Sequence, residues 1–223
     1  TTAFAFAPKK PEVQNNPVTA NVTNISKNDR ALLVVSNLSA AGSSKLKWLY
    51  SFMDGSSILL AGQIAAPQYR QMFVLSGANA TKNQFADSLK QLSLNPANKA
   101  IDTILNLHGS KNALYFNEGL QAASVIQNDV KSANFTGALR LLYSTACYGA
   151  NHAPYFVNGG FKVASGAIGV NADSAIAYPK TLQLWTGNYA YQDVVNKAND
   201  PVYQKLQDTL AKLYGFSDAN SFK

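Results

Sequence analysis

Short runs of consecutive apolar residues alternate along this chain with longer segments whose apolar positions recur every three or four residues. Residues 31–37 form one such run, rich in branched side chains, of the kind found in strands buried on both faces of a parallel sheet. Residues 71–76, 100–107, 139–145 and 162–170 repeat the signal and predict four further strands. Between the second and third strands, Phe85, Leu89 and Leu92 are spaced by three and four, which predicts a helix over 81–94. A further helix is predicted within 114–131. Residues 45–53 are too densely apolar to separate helix from strand, although helix fits their spacing. Near the C-terminus, Asp200-Pro201 supplies a cap and a first-turn proline, Val202, Leu206, Leu210 and Leu213 fall on one face, and Gly215 closes the helix. Strands alternating with helices predict an α/β fold, a three-layer sandwich with a mostly parallel central sheet flanked by helices. Residues 1–29 hold three of the eight prolines and no periodic pattern, so they read as an irregular arm or pro-segment. Residues 30–223 then make one domain.

Composition narrows the partners. The formal charge is +7, but its cations stand singly (Lys45, Lys47, Arg70, Lys82, Lys90, Lys99, Lys111, Lys131), with Lys9-Lys10 the one adjacent pair. A dispersed basic surface serves solubility, and no nucleic-acid partner is expected from it. No apolar stretch approaches the ~20 residues of a membrane span. The single cysteine excludes an internal disulfide, and with two histidines it does not build a usual zinc site. The stretch Ser165-Gly166 to Gly169 lacks both the P-loop lysine spacing and the full dinucleotide fingerprint, so neither metal nor cofactor is expected. Low charge with many Asn, Ser, Thr and Tyr, and an Ala-x-Ala pattern at residues 5–7, point to a secreted or periplasmic protein.

The candidate chemistry lies where two predicted strands run out. His108 follows the apolar run of 100–107 and is itself followed by Gly109; Cys147 follows that of 139–145, with Gly149 two residues later. Reacting groups in open parallel sheets collect beyond the carboxyl ends of the strands, so the two ends can present an imidazole and a thiol to one pocket. That is what a thiol nucleophile and its base require. A glycine after the histidine lets a backbone N–H approach a substrate carbonyl, where the Gly109 and Cys147 N–H groups would stabilise an oxyanion. The bland alternative is a small buried hydrophobe at 147 and a hydrogen-bonded histidine at 108. His152 is the competing base, read here as a loop residue or a substrate contact.

Leu107-His108-Gly109 and Thr145-Ala146-Cys147-Tyr148-Gly149, in that order, resemble the histidine and cysteine blocks of the caspase-like (clan CD) cysteine peptidases. The resemblance is nearer to clostripain, the gingipains and legumain than to true caspases, whose glutamine before Ala-Cys is replaced here by Thr145. Legumain and clostripain carry acidic residues where Leu107 and Thr145 stand. The resemblance implies a caspase-like fold and hydrolysis of a protein or peptide substrate. Cys147 would be the nucleophile, His108 the acid and base, and Gly109 with Cys147 the oxyanion hole. It further implies that Ser165 and Gly166 leave room for the P1 side chain and that Asp173 selects Lys or Arg there, with Tyr178 and Trp185 as walls of that pocket or as core. Two other readings stay open: a non-catalytic binding module on the same scaffold, and a thiol-dependent acyltransferase or hydrolase acting on a non-peptide substrate. Nothing in the sequence sets the oligomeric state.

Overall fold

The computed structural model describes residues 14–15, 25–41, 44–172, 174–187 and 189–223. Its frame is a sheet in which five strands run parallel: β2 (Arg30–Ser36), β3 (Gln71–Ser76), β4 (Ala100–Asn106), β8 (Leu139–Ser144) and β9 (Val163–Ser165). Their order across the sheet is β9-β8-β4-β2-β3, and β1 (Gln14–Asn15) adds an antiparallel pair at the β9 edge. Residues 31–35 and 100–106 are wholly or almost wholly buried, which is why both runs carry apolar side chains without alternation.

Helices cover both faces. Leu33, Val35, Ile101, Leu105 and Leu139 pack against α2 (Lys82–Leu94), α3 (Ala123–Ala133) and α4 (Gly149–Gly159), whose contributions include Phe85, Leu89, Ile126, Val130 and Phe156. The opposite face, with Leu32, Val34, Ile104, Leu141 and Tyr143, meets the end of α1 (Lys47–Leu60) and α5 (Ser174–Thr186) through Ala61, Ala65, Tyr178 and Leu182. The molecule is therefore an α/β three-layer sandwich with a mostly parallel sheet. On the α1/α5 side the Asp102 carboxylate is fully buried; it accepts hydrogen bonds from the Arg140 guanidinium, 2.8 Å at Nε, and from the Tyr69 hydroxyl at 2.5 Å. Among the described residues no helix is long and apolar enough to cross a membrane.

The predicted strands and the 81–94 helix are present, with Thr81 capping α2 by accepting the Gln84 N–H at 3.1 Å. Residues 45–53 resolve to helix, continuing as α1 to Leu60 and a π-helical turn at Ala61–Ala65. Other expectations need correction. The helix expected within 114–131 begins only at Ala123; before it lies a three-stranded antiparallel sheet of β5 (Gly109–Ser110), β6 (Ala113–Phe116) and β7 (Gly119–Ala122). Two-residue connections, Lys111-Asn112 and Asn117-Glu118, join its strands, and Gly119, directly after the second, takes a positive φ of 106°. The fifth strand stops at Ser165, short of its expected end at 170, because Gly166 packs against the backbone of Gly149. Residues 148–154 are not a loop: Gly149 opens α4, with Pro154 inside it, and Gly160 at φ 118° ends it. Part of the supposed irregular arm, β1, belongs to the sheet.

α6 (Tyr191–Ala198) and α7 (Pro201–Leu213) complete the helices. Asp200 caps α7 by accepting the Val202 and Tyr203 N–H groups at 3.1 and 3.3 Å. The apolar stripe of α7 faces outward, with Val202, Leu206, Leu210 and Leu213 all exposed.

Candidate active site

The chain passes from β2 to β3 on one side of the sheet and then to β4 on the other, so a crevice opens beyond the carboxyl ends of β2 and β4. Asn37 directly follows β2 and Asn106 ends β4, and the Asn37 N–H donates to the Asn106 carbonyl at 3.0 Å. β8 lies beside β4 in parallel register, Leu105 opposite Ser144, which sets His108 and Cys147 beyond neighbouring strand ends.

Gly109 measures how close the two loops come. A Cβ at this position would lie 2.5 Å from the Cys147 carbonyl oxygen, 3.0 Å from the Ala146 Cβ and 3.1 Å from the His152 Cε1. Only glycine permits that approach. The His108 carbonyl accepts the Tyr115 N–H at 2.9 Å. Antiparallel alternation then makes Gly109 opposite Leu114 a non-hydrogen-bonded pair, so the Gly109 N–H is not used in the hairpin.

His108 is held from several sides. The Tyr50 ring of α1 meets it edge-on, with centroids 4.7 Å apart and planes at 88°. Burial pushes its imidazole below the ordinary value, partly offset by hydrogen bonding to the Leu38 and Ala41 carbonyls and by the Asp54 carboxylate. Nε2 is buried with no partner among the described residues. Asp54 itself ties down the loop after β2, accepting the Leu38 and Ser39 N–H groups at 2.8 and 2.9 Å and the Ser36 hydroxyl at 2.7 Å.

Cys147 is partly exposed, one residue before the αL residue Tyr148 (φ 57°) and two before α4. Its Sγ accepts the Asn171 N–H at 3.4 Å. Burial pushes the thiol up; the Asn171 and Cys147 N–H groups pull it down, and the Asp218 charge adds to the rise. The helix N-terminus behind it is already occupied, since the Tyr148 and Ala150 N–H groups donate to the Gly169 and Ala167 carbonyls at 2.8 and 2.9 Å. Both shifts favour the neutral form, of the Cys147 thiol and of the His108 imidazole, over a preformed thiolate-imidazolium pair.

Of the residues singled out from the sequence, Gly109 meets the Cys147 carbonyl, and His108 stands one residue before that contact. Ser165 is buried, its hydroxyl 2.7 Å from that of Tyr191, and so does not face an open pocket. Gly166 stands with its Cα against Gly149, where a Cβ would come within 2.6 Å of the Gly149 Cα, and its role there is close backbone packing. Asp173 lies outside the described residues. His152 is neither in a loop nor a substrate contact: it is fully buried in α4, its Nε2 2.6 Å from the Ser110 carbonyl, tying the hairpin to the helix. Tyr178 is core, its hydroxyl donating to the Ser57 carbonyl at 3.1 Å. Sequence reasoning missed Tyr50, Asp54, Asn171 and Asp218, which come from other elements and carry no local motif. In comparisons with known proteins, no family model and no curated protein matches this chain.

Proposed function

We propose that the protein is a cysteine endopeptidase of the caspase-like kind, working through Cys147 and His108. The observation that carries this reading is the seat of Gly109 against the Cys147 carbonyl, which brings the histidine loop and the nucleophile loop into contact. In this mechanism the His108 Nε2 takes the Cys147 proton as Sγ attacks the scissile carbonyl. A neutral resting pair suits that order, because the proton moves only when substrate is bound. The carbonyl oxygen, as it gains charge, is received by the Gly109 and Cys147 N–H groups. His108 then protonates the leaving amine, and water, deprotonated by the same imidazole, releases the acyl group from Sγ.

The raised thiol favours one rival, a binding module in which Cys147 is a packed side chain. Incubation with a diverse peptide mixture, read by mass spectrometry, separates the two. The peptidase reading expects new termini that are absent with Cys147→Ala and reduced about 10²-fold or more with His108→Ala. Identical digests from wild type and Cys147→Ala would overturn it.

A further inference from the structure

Helix α7 turns its most apolar side away from the protein. Val202, Tyr203, Leu206, Leu210 and Leu213 fall within about 100° of its circumference, and all five are exposed. Tyr214, directly after the last turn, extends the row and is exposed too. Single apolar side chains on a surface are ordinary, whereas a contiguous row along a whole helix marks a surface that meets something.

The opposite side of the helix fixes this orientation. Gln204 is buried, its Nε2 donating to the Asn199 Oδ1 at 2.7 Å, and the Asp208 carboxylate accepts the Ser221 hydroxyl at 2.7 Å and the Ser221 N–H at 3.1 Å. The tail that Asp208 holds is itself tied down, since the Gly169 N–H donates to the Asn220 carbonyl at 2.8 Å and the Lys223 N–H to the Asn199 Oδ1 at 2.9 Å. α7 cannot roll to bury its leucines without breaking these bonds. Among the described residues no other helix or strand packs along it.

The free charge beside the row has one sign. Lys205 and Lys212, two turns apart on one flank of the apolar arc, are exposed and have no ion pair among the described residues. The acids of α7 and its cap are engaged: Asp200 accepts the first N–H groups of the helix, with the Lys180 Nζ 3.6 Å away, and Asp208 is held by Ser221. The chain as a whole carries +7. Tyr203 and Tyr214 add rings with apolar bodies and polar hydroxyls, suited to a boundary between hydrocarbon and water. A globular partner would need a groove shaped to this convex row. A fluid anionic surface needs no such match: it takes up the leucines and sets phosphates against the lysines.

We propose that α7 seats the protein on an anionic lipid surface, lying in the plane of the headgroups with Val202, Leu206, Leu210 and Leu213 immersed and Lys205 and Lys212 reaching the phosphates. This is peripheral attachment of a folded protein, which needs no membrane-spanning segment, and it stands independently of the peptidase reading.

Co-sedimentation of the full chain with vesicles of equimolar phosphatidylcholine and phosphatidylglycerol tests it, against vesicles of phosphatidylcholine alone. Wild type is expected to bind the anionic vesicles about tenfold or more tighter than the neutral ones. Lys205→Gln combined with Lys212→Gln should weaken binding to the anionic vesicles about tenfold. Leu206→Gln combined with Leu213→Gln should weaken it about tenfold or more. Urea midpoints of both double variants should stay close to wild type, because the replaced side chains face solvent. Failure of wild type to bind the anionic vesicles would overturn the proposal. Equal binding by wild type and the leucine variant would overturn it too, since the attraction would then be one of overall charge. Self-association of wild type that is lost in the leucine variant, with no binding to vesicles, would assign the row to a second copy of the chain instead.

Discussion

A methyl group added at Gly109 has nowhere to go, whereas one added at Gly55, in the middle of α1, meets nothing within 4 Å. Gly109→Ala should therefore destabilise the protein by about 1–3 kcal/mol through the forced shift of the Cys147 backbone. Gly55→Ala should stabilise it by about 0.5–1 kcal/mol by relieving helix entropy. Urea midpoints of the two variants check both signs. Tyr50 is the other residue whose effect can be separated. Burial is the main reason the His108 imidazole lies low, and the Tyr50 ring supplies part of that cover. Tyr50→Ala should let water in and move the His108 titration up toward the ordinary 6.5, while Tyr50→Phe should leave it low. Ring-proton NMR of the two histidines reads this. His108, Gly109 and Cys147 were legible in the sequence because each closes an apolar run; Tyr50 and Asp54 were not, because a helix about fifty residues away in sequence becomes a neighbour only once β2 and β4 pair.

Among the elements, the hairpin β5–β7 and helix α4 are joined by His152, whose Nε2 lies 2.6 Å from the Ser110 carbonyl. Burial keeps this imidazole below its ordinary value, so the unfolded chain takes up the proton first as pH falls. Stability should be full above about pH 6.5 and decline as pH drops below it. In His152→Asn the decline in urea midpoint between pH 7 and pH 5 should be smaller; an undiminished decline would mean that another group takes up the proton. The sequence hid both elements for physical reasons. Gly109 and Gly119 break the alternation that would have signalled β5 and β7, and Pro154 obscured a helix long enough to accommodate it. In α7 the periodicity was real, but it marks a stripe without saying what covers it: Val202 and Leu213 are 75% and 78% exposed. Replacing Leu213 with Gln should accordingly change stability by no more than about 0.5 kcal/mol.

At the scale of the molecule, the inner strands β2, β4 and β8 were readable because their runs are buried on both faces, and a strand buried on both faces has a sequence signature independent of its neighbours; β3, at the sheet edge, carried the same apolar run although Phe73 and Val74 are exposed. Their spatial order was not readable, and it is this order that sets the β4 and β8 ends side by side. The sheet also contains a charge that packing must neutralise. Asp102 is fully buried and bound by Arg140 and Tyr69. Asp102→Ala should cost about 3–5 kcal/mol, since it leaves a guanidinium uncompensated beside the core, and a thermal melt would register it. The proposed Cys147–His108 dyad lies beyond the carboxyl ends of the strands, and a peptidyl acyloxymethyl ketone carrying lysine, with intact-mass detection of the adduct, tests it. A peptidase built on Cys147 and His108 predicts one stoichiometric adduct on Cys147, formed at least 10²-fold more slowly in His108→Ala, while small-reagent alkylation of the same thiol in denatured protein stays equal. An adduct that forms equally fast without His108, or does not form at all, would contradict the dyad and leave Cys147 a packed side chain.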